Sequence, residues 1–411
     1  MARSRYCISF AMAVTAIALQ LAVPSPATAG PPSTCLGREV TIFGTDGDDL
    51  ISGTGAPDVI STGAGNDDIT LGVEPGYDRG DIVCAGAGDD VVVGSDNEDE
   101  VSGGPGNDDL TGDEIEQPNI ADTSDLLMGD TGDDVLNGGS GTDVIDPGAG
   151  NDTIERSPAS DILTYEGTST AIDARGDMAL GGASGTVTGR GTDTFEGIFT
   201  IIGGSGNDNI TGVAQMLGGP GNDVLEGTET VAERFWGGPG ADVMDTGGDV
   251  PGRELDVVQY EHSTKRVVVN LEKGRAWGEG KDRLIGFHNV VGSEYDDVLV
   301  GTGRKNRLLG LGGDDEVHGG AAEDTIETKG GADLVRTGAG NDQVHTGGGR
   351  DVIRGGRGPT IVYGGRGRDV MRGSSGRDQL YGEAGRDRAH GGDGRDICRA
   401  EVERRCELNR Y

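Results

Sequence analysis

Carboxylates recur in this chain at intervals of nine. Asp297, Asp315, Asp324, Asp333, Asp342, Asp351, Asp369, Asp378, Asp387 and Asp396 each hold the sixth place of a nine-residue unit, within twelve consecutive units spanning residues 292–399 without insertion or deletion. The units share the template G-G-x-G-x-D-x-U-x with U apolar, as in GGAAEDTIE (319–327) and GGRGRDVMR (364–372). The G-G-x-G portion tolerates positive φ, so the backbone can turn tightly and aim its carbonyl oxygens inward. The aspartate adds a carboxylate to the same turn. Carbonyls and one aspartate from each of two stacked turns then enclose a hole lined only with oxygen. A hard cation that takes six to eight oxygens at about 2.3–2.6 Å fits such a hole, and that is Ca²⁺. Mg²⁺ demands a tighter octahedron and keeps its waters, and Zn²⁺ would want the His or Cys that these turns lack.

The elements that position these carboxylates follow from the same period. The x-U-x tail is a three-residue strand with its middle side chain directed inward and its neighbours outward. Two units make one coil, so units two apart stack roughly 4.8 Å from each other. Degenerate copies of the template begin at Gly44. They put Asp49, Asp58, Asp67, Asp90, Asp108, Asp134, Asp143 and Asp152 at the equivalent place, followed by Asp208, Asp223 and Asp242.

These units resemble the RTX (repeats-in-toxin) calcium-binding nonapeptide-repeat family. The resemblance implies an all-β fold, a parallel β-roll or solenoid with Ca²⁺ in its turns, here interrupted by two longer β-rich modules. RTX proteins usually attach the roll to a protease, lipase, epimerase or pore-forming domain, and many carry a C-terminal export signal; neither feature is visible here. The expected organisation is a signal peptide (1–29), an N-terminal cap (30–43), a roll with inserts near 74–80 and 113–124 (44–155), a β module (156–202), a degenerate roll (203–255), a second β module (256–291), a regular roll (292–399) and a C-terminal cap (400–411). The two modules share a pattern. One opens on Asp161 and Tyr165 and closes on Asp193 and Phe195; the other opens on Asp256 and Tyr260 and closes on Asp282 and Leu284.

Arg3 and Arg5 precede an apolar run over residues 8–23, and Ala27-Thr28-Ala29 offers a small-residue cleavage site. That is the pattern of a secretory signal peptide, so the mature protein is expected outside the cell, beginning near Gly30. No other segment is apolar enough to span a membrane. Four cysteines then remain, Cys35, Cys84, Cys398 and Cys406, and four allow three pairings. Proximity along a solenoid favours Cys35 with Cys84 and Cys398 with Cys406, one staple at each end of a chain that reaches an oxidising compartment.

Gly is 79 of 411 residues, aromatics are 4% and the formal charge is −37, a composition that in an aperiodic chain signals disorder. Two U side chains per coil make a thin core against backbone ordering of roughly 1–2 kcal/mol per residue. Ca²⁺ neutralises the stacked aspartates and cross-links the turns, so binding and folding are expected to be one process. The two sides of the C-terminal roll are unequal. One column reads Asp297, Asp315, Asp333, Asp351, Asp369, Asp387; the other reads Asn306, Asp324, Asp342, Thr360, Asp378, Asp396, where Thr360 supplies no charge.

Residues 1–291 hold 15 Lys/Arg against 50 Asp/Glu, whereas residues 292–411 hold 19 against 21. Ninth positions His318, Arg336, Arg354, Arg372 and His390 fall in one outward column. It could bind an anionic polymer such as an acidic polysaccharide, or merely balance nearby carboxylates. Nucleic acid is disfavoured by the net charge, because phosphate contacts need dense Lys/Arg. The module carboxylates Glu166, Asp173, Glu196 and Glu261 could form an acid/base pair in principle, but there is no H-E-x-x-H or G-x-S-x-G motif and the five histidines do not converge. The sequence therefore reads as a secreted, non-catalytic calcium-binding repeat protein with a structural, adhesive or interaction role. The rival is a polysaccharide-active, lyase- or epimerase-like or carbohydrate-binding protein supported by the same calcium modules.

Overall fold

The computed structural model describes residues 32–72, 79–113, 124–155, 160–179, 182–248 and 255–406. The expected signal peptide, most of both roll inserts and the last residues of the expected C-terminal cap lie outside them. Every element among the described residues is a strand, and half of them are three residues long. The reason is visible in the unit: Gly-rich turns flank a D-x-U-x tail whose single inward residue is Val, Leu, Ile or Met, types that suit a pleated, half-buried surface. Leu299, Leu308, Val317, Ile326, Val335, Val344, Ile353, Val362, Met371 and Leu380 are each 0% exposed, alternating between the two sides of the coil.

Each coil stacks in register on the next. Val298–Val300 pairs in parallel with Glu316–Ala321, which pairs with Leu334–Ala339, then Val352–Arg354, Val370–Gly376 and Arg388–Gly394. The opposite side runs Arg307–Leu309, Thr325–Glu327, Asp342–His345, Thr360–Tyr363, Gln379–Tyr381 and Ile397–Arg399. The N-terminal roll stacks in the same way, and its inserts leave the register intact. Val59–Ala64 pairs with Ile82–Ala87 and Glu100–Pro105 with Leu126–Thr131, although each of those coils is longer than eighteen residues.

The two modules add more than longer strands. In the first, Asp173–Ala179, Gly182–Thr188 and Thr192–Ile202 form an antiparallel meander. Its outer strands join the stack in parallel, Asp173–Ala179 on Asn209–Thr211 and Thr192–Ile202 on Asp161–Thr164 and Gln215–Leu217. In the second, Val268–Asn270, Arg275–Trp277 and Lys281–Ile285 repeat that design, with Val268–Asn270 on Val298–Val300 and Lys281–Ile285 on Val243–Asp245. The core therefore continues through both modules.

Disulfides sit near both ends of the stack. Cys35 joins Cys84 with Cα atoms 5.7 Å apart, tying the hairpin Thr34–Cys35/Arg38–Glu39 to the strand Ile82–Ala87. Cys398, at a core position above Leu380, joins Cys406 across 5.8 Å. No helix among the described residues is long and apolar enough to cross a membrane.

Candidate metal centre

The strand that follows each turn fixes its aspartate, and the aspartates then hold one another's backbone. In one column of the N-terminal roll, the N–H of Asp49 donates to Asp67 Oδ1 at 2.8 Å, and Asp67, Asp90, Asp108 and Asp134 donate in turn to Asp90, Asp108, Asp134 and Asp152 at 2.8–2.9 Å. The column ends where Asp152 donates to Asp193 at 3.2 Å. The other side runs Asp58, Asp81, Asp99, Asp125, Asp143, Asp161. The middle roll carries Asp208, Asp223, Asp242, Asp282. In the C-terminal roll Asp297, Asp315, Asp333, Asp351, Asp369 and Asp387 are linked at 2.9–3.0 Å. The facing column links Asn306, Asp324 and Asp342, then breaks: the Asp342 N–H turns to the Pro359 carbonyl, and the ladder resumes from Thr360 through Asp378 to Asp396.

One oxygen of each carboxylate is thus used for the ladder. The second is buried, and no hydrogen bond reaches it in Asp67, Asp90, Asp108, Asp134, Asp152, Asp125, Asp143, Asp223, Asp242, Asp315, Asp324, Asp351, Asp369, Asp378, Asp387 or Asp396. An orphaned buried carboxylate oxygen is costly, because its hydration has been lost without replacement. The turn leaves no room for a side chain around it. A Cβ on Gly203 or Gly373 would overlap both the unit's own aspartate Oδ2 and the first-position carbonyl of the next coil. Two oxygens from successive coils therefore face one narrow space, the donor set a hard cation requires. No group of three or more His, Cys, Asp or Glu side chains gathers among the described residues, so backbone carbonyls would supply most of the ligands.

The electrostatics point the same way. Burial, then the neighbouring carboxylates, push Asp108 and Asp134 up to about 7, Asp315 up to about 8 and Asp125 up to about 9. A folded-state value above the ordinary carboxylate range means that the metal-free fold binds protons more tightly than the unfolded chain. Its contribution to stability is present at acid pH and is lost as pH rises through about 6 to 9. Protons and Ca²⁺ compete for the same oxygens. Calcium affinity should therefore be lower near pH 5.5 than near pH 8, and chelation at neutral pH should take up protons. Calorimetry in two buffers of different ionisation enthalpy measures both; equal affinity at the two pH values with no proton uptake contradicts the assignment.

Some rungs differ. Where Thr or Ser stands second in the turn without positive φ, it closes the carboxylate, whereas Ser374, at φ +95°, leaves Asp378 open. The N–H groups of Thr45, Thr54, Ser95 and Ser293 donate to Oδ2 of Asp49, Asp58, Asp99 and Asp297 at 2.5–2.7 Å, and that of Thr302 donates to Asn306 Oδ1 at 2.8 Å. In open turns the second residue has positive φ instead, as at Gly104 (+105°) and Gly365 (+88°). The Thr328 hydroxyl covers Asp333 Oδ2 at 2.5 Å. In the modules, buried phenols do the same: Tyr165 donates to Asp193 Oδ2 at 2.8 Å and Tyr260 to Asp282 Oδ2 at 3.0 Å.

The twenty-one aspartates marked by the template thus fall in ordered columns, with Asp49, Asp58 and Asp297 in closed turns. Template matching missed Asp81, Asp99, Asp125, Asp161, Asp193, Asp256 and Asp282, which stand in the same columns. It also missed Glu233, whose N–H donates to Asp256 Oδ1 at 2.9 Å and whose turn is one residue longer, a length that the extra methylene spans. Each missed aspartate does begin a D-x-U-x tail, and that was the usable signal. Of the module carboxylates, Asp173 is bound by Arg175 and Asn209, and Glu261 lies 3.8 Å from His262 at the surface.

Residues 43–73, 76–114, 121–154, 200–214, 291–326, 327–362 and 363–398 match the RTX calcium-binding nonapeptide repeat (four copies). The second meander lies outside the match, and the first meets it only at residues 200–202. No curated protein matches the chain. Among solved structures it is similar to a hyperactive, Ca²⁺-dependent, β-helical antifreeze protein from an Antarctic bacterium, at 15% identity and a TM-score of 0.20, over 87% of this chain and 83% of that one. That likeness is too loose to carry an argument.

Proposed function

The chain belongs to the RTX calcium-binding nonapeptide-repeat family, and from that premise we propose that it is a secreted, non-catalytic protein whose rolls fold around many Ca²⁺ ions to serve a structural or adhesive role outside the cell. One observation carries this reading: column after column of carboxylates, most of them buried with one oxygen committed to the neighbouring coil and the other left without a donor. The open-rung aspartates and the turn carbonyls would hold the ions. Bound calcium would supply the positive charge that lets stacked carboxylates coexist. The disulfides support an oxidising destination.

A specific observation favours an anionic polysaccharide as partner. His318, Arg336, Arg354, Arg372, His390 and Arg404 lie in register on one face of the C-terminal roll. Glu316 balances the first two, 3.0 Å from His318 and 2.5 Å from Arg336. Beyond it, residues 350–399 hold eleven arginines against seven acids, of which Asp351, Asp369, Asp378, Asp387 and Asp396 are buried and only Glu383 and Asp393 face outward. The face is therefore cationic although the roll is nearly neutral, with arginines at Arg336, Arg354, Arg372 and Arg404 of a column whose rungs repeat roughly every 4.8 Å. An extended polymer with regularly repeated negative charge would complement such a row.

The experiment is retention of the full chain on acidic polysaccharide and cell-wall fractions in calcium and in chelator. Calcium-dependent retention that falls at least about tenfold in Arg354→Ala/Arg372→Ala is expected, since each tenfold step is about 1.4 kcal/mol. Equal retention of the double variant would remove the face from the account. Retention on single-stranded nucleic acid but on no polysaccharide would give it a different partner.

A further inference from the structure

We infer that the chain closes several ends of its own metal columns, using Thr or Ser turns at Asp49, Asp58, Asp297 and Asn306 and the phenols of Tyr165 and Tyr260 at Asp193 and Asp282, so that calcium does not enter those rungs. The inference rests on the calcium reading proposed above and adds which rungs are excluded. A rung at a column end has a neighbouring turn on one side only. A half-built cage cannot offer a cation six or more oxygens, yet Asp58, Asp193, Asp282 and Asp297 are buried. At Asp49, Asp58, Asp297, Asp193 and Asp282 a hydrogen-bond donor satisfies the second oxygen.

The placement recurs at six end rungs, although Ser95 also closes the interior Asp99 and the end rungs Asp208 and Asp396 keep an open second oxygen. Asp49, Asp58, Asp297 and Asn306 open their columns, and in each the second turn residue donates to the carboxylate or amide oxygen. Ser293 adds its hydroxyl to the other oxygen of Asp297 at 2.8 Å. Asn306 carries no charge at all, which is harmless in a rung that holds no cation. At the far ends, Asp193 finishes the column that begins at Asp49, and Asp282 finishes the one that begins at Asp208. A tyrosine 2% exposed and another 5% exposed donate to them. The same solution appears in two meanders that differ in loop lengths and in the sequence between their ends. A neutral phenol satisfies the oxygen without bringing the positive charge that a calcium cage must recruit.

The consequence is a chain in which both meanders are calcium-independent segments from which the ion-dependent rolls extend. The test measures calcium stoichiometry by equilibrium dialysis on the full chain. Asp193→Asn/Asp282→Asn should bind as many ions as the parent, because an amide oxygen can accept the backbone N–H and the phenol can accept from the amide. Asp108→Asn/Asp369→Asn, in open rungs, should bind fewer. Hydrogen exchange in chelator gives a second reading that does not depend on counting ions: segments 160–179 and 256–291 should stay protected while the rungs between Asp315 and Asp387 exchange, and Tyr165→Phe/Tyr260→Phe should lose that protection. Ions lost from Asp193→Asn/Asp282→Asn, or meanders that exchange as fast as the open rungs, would overturn the inference. If Asp108→Asn/Asp369→Asn also left the count unchanged, the calcium assignment itself would have failed, and the closure with it.

Discussion

Gly104→Val should destabilise the N-terminal roll by more than about 3 kcal/mol, even in saturating calcium. Gly104 is the second residue of the turn that carries Asp108, at φ +105°, and a Cβ there would overlap the carbonyl oxygen of Gly86 in the coil beneath. Non-glycine residues do occupy this place in other turns: Asp130, Leu311, Lys329, Ser374 and Glu383 have φ between +65° and +95°. None of them is β-branched, and valine is the type least able to adopt positive φ. The clash is with backbone, so no side chain can swing away. Gly303 is the control. It is not at positive φ, and a Cβ there meets nothing within 4 Å, so Gly303→Ala should change stability by no more than about 0.5 kcal/mol. Denaturant unfolding of both variants in calcium checks the contrast. Similar tolerance would mean that Gly104 does not sit in the tight turn described.

In the C-terminal roll, Asp369→Ala should weaken calcium binding at least about tenfold at the rungs it joins, while Thr360→Ala should leave binding nearly unchanged. Asp369 accepts the Asp351 N–H at 3.0 Å and keeps its second oxygen open. Removing it deletes a ligand and also orphans a backbone donor. Asp369→Asn separates the two effects, since the amide keeps the ladder bond and loses only the charge. Thr360 lies opposite Asp342 and donates its N–H to Asp378 Oδ1 at 2.9 Å, but its hydroxyl is buried without a partner. Thr360→Asp should therefore add binding by joining the two halves of that column. Calorimetry on the full chain decides it. Equal losses from the two alanine variants, with no gain from Thr360→Asp, would show that the columns do not bind as the ladders indicate. Asp333 is a poorer choice for this comparison than its sequence position indicates, because the Thr328 hydroxyl already covers its second oxygen.

The rolls were legible in the sequence because one physical constraint repeats. A coil with a single inward residue per strand forces D-x-U-x at most rungs, and in the C-terminal roll both the columns and the break at Thr360 follow from counting by eighteen. Legibility failed where glycine was taken as the marker. The sequence before Asp81, Asp125 and Asp256 lacks the G-G-x-G signature, so they escape although two residues later stand the buried Val83, Leu127 and Val258, respectively. The antiparallel middle strands Gly182–Thr188 and Arg275–Trp277 were also hidden. Inward–outward alternation is the same in either strand direction, so only pairing reveals it. Tyr165 and Tyr260 were noticed as a recurrence, but their bonds reach across 28 and 22 residues of intervening chain. Closure by Thr45 or Ser293 depends on the sign of one φ angle, which composition does not report.

The central claim is that the rolls exist because calcium holds them. Far-ultraviolet circular dichroism of the full chain, followed through chelation and then titration, tests it most directly. With calcium removed at neutral pH, most of the β signal should vanish, leaving the portion contributed by the closed meanders. Millimolar Ca²⁺, the range typical of extracellular modules, should restore the signal, and equal Mg²⁺ should do far less because it will not give up its waters for an irregular oxygen cage. A chelated protein that keeps its full β signal at neutral pH would contradict the account.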